Sequence, residues 1–248
     1  MIHLKTKEEI ELMRKSNRMV ARLLEKLKKM VRPGITTAEL DAAAEEFIIS
    51  SGGIPTFKGY AGYPACICTS VNEEVVHSIP GSRVLHEGDI ISIDAGIKLN
   101  GYCGDSTITV PVGNISKEAE KLMRVTAKAL EIGIEMAVPG NRLGEIGHAI
   151  QTFVEGQGFS IVRDFVGHGI GKDMHEEPQV PHFGRPRTGV VLQEGMVLAI
   201  EPMVNAGSHK LKVMKDGWTV VTVDGKWSAQ YEHSVAITAN GPDVLSKL

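Results

Sequence analysis

At 248 residues the chain can bury a large core, either as one extended α/β domain or as two fused halves. With 42% hydrophobic residues, 23% charged residues and a net charge of −3, it has an ordinary globular composition, which gives no electrostatic reason to expect DNA, RNA or an acidic membrane as partner. No apolar run reaches bilayer length, no secretory leader is recognisable, and Cys66, Cys68 and Cys103 are an odd number, so a reducing cytoplasm is the expected compartment.

Thr6 with Glu9 forms a capping box, and Ile10, Met13, Val20, Leu23, Leu24, Leu27 and Val31 mark the apolar stripe of a helix that stops at Pro33-Gly34. Lys26, Lys28, Lys29 and Arg32 close that helix, where cations suit its dipole. A second helix is expected from Thr36 or Thr37 to just before Gly52-Gly53. Ile54 to Pro80 reads as loop and short strand, carrying Tyr60, Tyr63, Cys68 and His77. Cys66 and Cys68 have no second pair to complete a structural zinc site, so they are read as strand residues.

The stretch from Asp89 to Val110, DIISIDAGIKLNGYCGDSTITV, has β-branched runs on either side of Asn100-Gly101, the pattern of a hairpin closed by a type I′ turn. That turn sets a register in which Asp105 faces Gly96 and Asp94 faces Thr107. The two aspartates then lie diagonally on one face, with Cβ atoms roughly 7 Å apart, close enough to share an ion. Two solvated carboxylates on an exposed face are the competing reading.

Ser116 caps a long helix ending at Pro139-Gly140, and another runs from about Asn141 to Glu155. FSIVRDF is strand-like and leads into GHGIGKDMHEEP, and VLQEGMVLAIEPMV is again a strand. Lys210, Lys212 and Lys215 fall in a loop. Trp218 to Val223 and Lys226 to Gln230 are expected to pair around Asp224-Gly225, and a last strand, QYEHSVAIT, passes through Glu232.

An internal repeat emerges when the Pro-Gly stops are superposed. PGITTAELDAAAEEFIISSG from Pro33 aligns with PGNRLGEIGHAIQTFVEGQG from Pro139, and EGDIISID from Glu87 aligns with EGMVLAIE from Glu194. Asp94 therefore falls on Glu201, and two halves, approximately 31–115 and 137–240, would bring these acids together at a pseudo-two-fold axis. Asp105 and Glu232 join them, and four carboxylates in one interior demand cations. Two divalent metals supply that charge, and an oxygen-rich site with one imidazole suits Mn²⁺, Fe²⁺ or Co²⁺, with Zn²⁺ as a further candidate. His168, between Gly167 and Gly169, is the expected imidazole.

Other motifs fail. His175-Glu176 is followed by Pro178 and Gln179, so it is no H-E-x-x-H helix, and Gly171-Lys172 lacks the glycine of a phosphate loop at position 166. His3, His86, His148, His182, His209 and His233 are expected to be structural or exposed.

SIDAG with Asp94, GDST with Asp105, GHGIG with His168, HEEP with His175, AIEPM with Glu201 and AQYEHSVAIT with Glu232 together resemble a type I methionine aminopeptidase across essentially the whole chain. The resemblance implies the pita-bread fold, an α+β architecture of two pseudo-symmetric α/β halves around a curved antiparallel sheet, forming a single catalytic domain. It implies that Asp94, Asp105 and Glu232 hold one metal, that Asp105, His168, Glu201 and Glu232 hold the other, and that Glu201 is the general base. It also implies that His175 stabilises the oxyanion, that His77 bonds the scissile amide, and that Tyr60, Tyr63, Cys68, Trp218, Phe57 and Met174 line a methionine pocket. The implied reaction is removal of the initiator methionine from nascent polypeptide N-termini that carry a small second residue, by a monomer working near the ribosomal exit tunnel.

Two other functions compete. A prolidase-like enzyme keeps the five ligands but normally adds an N-terminal domain, for which this sequence leaves no room. A non-catalytic pita-bread protein binding RNA or a ribosomal partner is disfavoured by the intact acids at 94, 105, 201 and 232.

Overall fold

The computed structural model describes residues 1–248. Four helices carry the outer layer: α1 (Lys7–Met30), α2 (Thr37–Ser50), α3 (Lys117–Glu135) and α4 (Leu143–Gly156). Thr6 with Glu9 and Thr36 with Glu39 form complete capping boxes, and the Ser116 hydroxyl accepts from the Ala119 N–H. α4 begins later than the sequence suggested, because the Asn141 amide is used by the preceding turn, where it donates to the Met136 carbonyl. No helix is long and apolar enough to cross a membrane.

All strand pairings are antiparallel. Ile90–Leu99 and Tyr102–Pro111 form the expected hairpin, in which Asp94 opposes Thr107 and Gly96 opposes Asp105. Asn100 and Gly101 have φ of 53° and 83°, the left-handed pair that a type I′ turn requires. Ile67–Val71 pairs on the other edge of Ile90–Leu99 and places Cys68 opposite Asp94.

In the second half, Val197–Ile200 pairs with His233–Thr238, and Met203–Asn205 pairs with Ser228–Gln230. The two ladders share one register, in which Glu201 and Glu232 are opposite each other at the interruption. The strands expected to run through these acids are thus each broken there. Pro202 has no N–H to continue the ladder, and the Glu232 N–H donates across to the Thr107 carbonyl of the first hairpin at 2.9 Å.

The expected pairing around Asp224-Gly225 does not form. Val220–Thr222 pairs with Leu211–Val213 and Glu74–Val76, whereas Ser228–Gln230 joins Met203–Asn205. The turn is present, but Asp224 accepts from the Ser208 and Lys226 N–H groups and steers the chain from one sheet into another.

α1 and α2 bury Leu23, Leu27, Leu40 and Ile48 against Ile91 and Ile93, while α3 and α4 bury Leu122, Ile146 and Ile150 against Leu198 and Ile200. Both helix pairs stand behind strands that carry acids, so each core fixes one side of the site. The second helix of each pair is entered alike, through Gly34 and Gly140 at φ 89° and the bridges Thr36 to Val84 and Arg142 to Val191.

Candidate active site

Asp94 and Asp105 project from the hairpin, Glu201 and Glu232 from the two strand breaks, and His168 from the centre of Gly167–Gly169. Ligand atoms of Asp105, His168 and Glu232 lie within 4.8 Å of one another. Nε2 of His168 is 3.7 Å from Asp105 Oδ2 and 3.6 Å from Glu201 Oε1. Its Nδ1 is 2.9 Å from the Gly169 carbonyl, which can only accept, so the proton belongs on Nδ1 and Nε2 keeps a free lone pair facing the acids. The flanking glycines are sterically required, since a Cβ at Gly167 would collide with the Ala199 carbonyl and one at Gly169 with the Glu177 carbonyl.

Neighbours hold each acid in place. Thr107 Oγ1 donates to Glu232 Oε2 at 2.8 Å, and Ser106 Oγ donates to the Glu232 carbonyl at 2.7 Å. Gln230 donates to Glu201 Oε2 at 3.1 Å, and the Glu201 N–H donates to Nε2 of the buried His182 at 3.0 Å. One oxygen of each of Asp94, Asp105 and Glu232 is buried without any partner. Burial pushes the Asp94 carboxyl up to about 7, and burial together with mutual repulsion holds Asp105, Glu201 and Glu232 well above the usual carboxylate range. Burial lowers His168 to about 4, which keeps it neutral and able to ligate.

No lysine or arginine lines the cavity, so nothing in the chain offsets this charge. Orphaned carboxylate oxygens, a neutral imidazole and the absence of thiolates at the cluster fit hard or borderline divalent ions. The three cysteines are free and buried, and none belongs to the cluster.

The acids form the floor of a cavity of about 560 Å³ whose lining includes every site residue expected from the sequence. Tyr63 and Trp218 meet edge to face at 5.1 Å, and Cys68, Phe57 and Met174 complete an apolar recess. On the other side His77 stands edge-on to Phe165 at 5.4 Å, with its backbone at φ 59°, a strained conformation for a non-glycine residue. His175 lies 4.4 Å, ring to ring, from His168, and its Nδ1 is 2.8 Å from the Tyr60 hydroxyl.

Residues 11–239 match metallopeptidase family M24. The chain belongs to this family. Among M24 relatives, methionine aminopeptidase 1 of Bacillus subtilis (strain 168) is 58% identical over the full length of both chains. The solved structure of methionine aminopeptidase from Thermotoga maritima superposes with a TM-score of 0.98 at 46% identity, covering 100% of both chains. The fold is accordingly the α+β pita-bread fold. The prolidase from Pyrococcus furiosus shares that fold alone, with a TM-score of 0.81 at 24% identity, and this chain covers 65% of it.

Some residues of this M24 site escape a reading of the sequence. His182, expected to be structural or exposed, is fully buried behind Glu201, and the segment around it carries no motif. Gln230 becomes visible only once its strand is placed, and Phe165 lies in the connection between Ser160–Ile161 and Gly167–Gly169, because the strand expected over FSIVRDF is only its Ser160–Ile161 part. Thr107 was within reach, because the hairpin register already set it opposite Asp94.

Proposed function

We propose that this chain is a methionyl aminopeptidase, which hydrolyses the N-terminal initiator methionine from nascent proteins and prefers a small second residue. The supporting observation is the convergence of four acids, Asp105 and Glu232 buried and Asp94 and Glu201 half-buried, and one neutral imidazole beneath an apolar recess, in a chain 58% identical to a protein named methionine aminopeptidase. We read the chain as one catalytic domain of two related halves, approximately 31–115 and 137–240.

Asp94, Asp105 and Glu232 would hold one divalent ion, and Asp105, His168, Glu201 and Glu232 the other, with Co, Mn, Fe and Zn as candidates. Bound there, the ions supply Lewis acidity and a more acidic water. Glu201 accepts the proton of the attacking water, and its orientation comes from Gln230 on one oxygen and His182 on its N–H. His175, oriented by Tyr60, donates to the oxyanion, and His77 bonds the scissile amide. The methionine side chain enters the recess of Tyr63, Cys68, Trp218, Phe57 and Met174, where a thioether packs well on aromatic edges. The partner is the N-terminus of a nascent chain, met near the ribosome in the cytoplasm by a monomer.

The test is hydrolysis of Met-Gly-Met-type peptides, with activity lost in chelator and restored by Mn²⁺ or Co²⁺. Cleavage of Xaa-Pro dipeptides in place of methionyl peptides by the metal-replete protein would overturn the assignment.

A further inference from the structure

The loop that carries Met174 and His175 is tied to a lysine at the far end of the chain. Lys5 precedes the Thr6 cap of α1, and its side chain is 2% exposed, so its ammonium is withdrawn from water. Nζ donates to Glu176 Oε2 at 2.7 Å, and the Lys5 N–H donates to the Gly195 carbonyl at 2.7 Å. Glu176 uses its other oxygen to accept from the Asp173 N–H at 3.3 Å, across the base of the same loop. Room for the pair comes from Gly171, where an added Cβ would lie 2.8 Å from Lys5 Cε and collide with the Glu176 carboxylate.

Glu176 is the neighbour of His175 and opposes Gly169, next to His168, where the strand register shifts. A shift in register leaves the loop less constrained by its own ladder, so an outside tie has more to fix. α1 in turn is joined to the Asp105 hairpin, through the Tyr102 hydroxyl donating to Glu9 at 2.7 Å and Asn17 accepting from the Asp105 N–H at 3.3 Å. A continuous path thus runs from the hairpin of one half, through α1 and Lys5, to the His175 loop of the other.

We infer that Lys5 is a positioning residue for His175: its buried ammonium clamps Glu176 and holds the 171–176 loop at the distance from the hairpin acids that the reaction needs. This rests on the peptidase reading, in which His175 acts on the transition state. The clamp therefore governs turnover more than binding. Of the methionine recess only Met174 rides on the clamped loop, while Tyr63, Cys68, Trp218 and Phe57 stand on segments Lys5 does not touch.

The experiment compares the full-length, metal-loaded parent with Lys5→Met, Lys5→Arg and Glu176→Gln, by steady-state kinetics on a Met-Gly-Met peptide and by hydrogen exchange of residues 171–176. Lys5→Met is expected to lower kcat roughly tenfold or more per folded molecule, to leave KM within about threefold, and to speed exchange in the loop. Lys5→Arg, which keeps the charge, should restore much of kcat. A kcat for Lys5→Met within about twofold of the parent, or an Arg variant no better than the Met variant, overturns the proposal. If Lys5→Met does not fold, Glu176→Gln decides in its place: the same kcat loss supports the clamp and a parental kcat refutes it. A parent inactive with every divalent ion would refute the peptidase reading instead. Loop exchange then still judges the clamp, with faster exchange in Lys5→Met supporting it and unchanged exchange refuting it.

Discussion

The Tyr60 hydroxyl and Nδ1 of His175 lie 2.8 Å apart, linking the first-half segment before Ile67–Val71 to the second-half loop before Glu176–Val180. Through this bond one ring nitrogen is occupied and the other is free to act in the cavity. Tyr60→Phe removes the bond while keeping the ring packed at 5.1 Å on the imidazole. The expected outcome is a fall in kcat of roughly 3- to 30-fold with little change in unfolding temperature, read from steady-state kinetics and a thermal melt. A parental kcat would show that His175 needs no such orientation.

Glu201 is held at both its carboxylate and its backbone, which suits a group that must meet one proton in one place. Glu201→Gln keeps the shape and removes the basicity. Turnover should drop by about a hundredfold or more while peptide binding, followed by competitive inhibition with a product analogue, weakens much less. Equal losses in both would remove Glu201 from the role of base.

Thr107 is the support for Glu232, donating from its hydroxyl and accepting at its carbonyl. In Thr107→Val a buried carboxylate oxygen loses its donor, at a cost of about 1–3 kcal/mol in the chelated protein. Metal affinity should fall by about 10- to 100-fold, measured by isothermal titration with Mn²⁺. An unchanged affinity would mean that Glu232 is held by the strand break alone.

The acid cluster also predicts a pH dependence. Asp94 is raised to about 7 by burial, and Asp105, Glu201 and Glu232 are held well above the usual carboxylate range, so the folded, chelated protein keeps protons that the unfolded chain has lost. A raised acid stabilises the fold at low pH, and that contribution disappears as pH rises through the folded value. The buried histidines act in the opposite sense. His77 and His168 are lowered to about 4, so their contribution is complete above the ordinary imidazole value. The window that isolates the acids therefore runs from about pH 6.5, where the imidazole contribution is complete, to about pH 8, below the range of the unfolded thiols, and across it the chelated protein should lose stability in urea titrations. Metal loading should release protons, more of them at about pH 6.5 than at about pH 9, as calorimetry in buffers of different ionisation enthalpy would register. Chelated protein that gains stability across this window would contradict the raised acids.

What could be read from the sequence was what local chemistry decides. Asn100-Gly101 dictates a turn with positive φ at two residues, and from that turn alone the facing of Asp94 with Thr107 and of Asp105 with Gly96 follows. The capping box at Thr6 is equally local. Contacts between distant segments decided the features that escaped. The breaks at Glu201 and Glu232 depend on Pro202 and on Thr107, which lies far off in the sequence, and no periodicity within QYEHSVAIT announces them. The pairing misread at Asp224-Gly225 fails for a similar reason, because Ser208 captures the turn aspartate and Val220–Thr222 finds a better partner in Glu74–Val76. His182 carries no signal at all, since a histidine behind an acid looks like any other until the backbone N–H of Glu201 is placed against it.

Ser106, Thr107 and Thr109 stitch the first hairpin to Gln230 and Glu232 on the last strands of the chain. During biosynthesis the two hairpin aspartates are made early, yet the wall opposite them arrives only when those final strands leave the ribosome. The acid cluster is therefore completed only once Gln230 and Glu232, near the end of the chain, have been made.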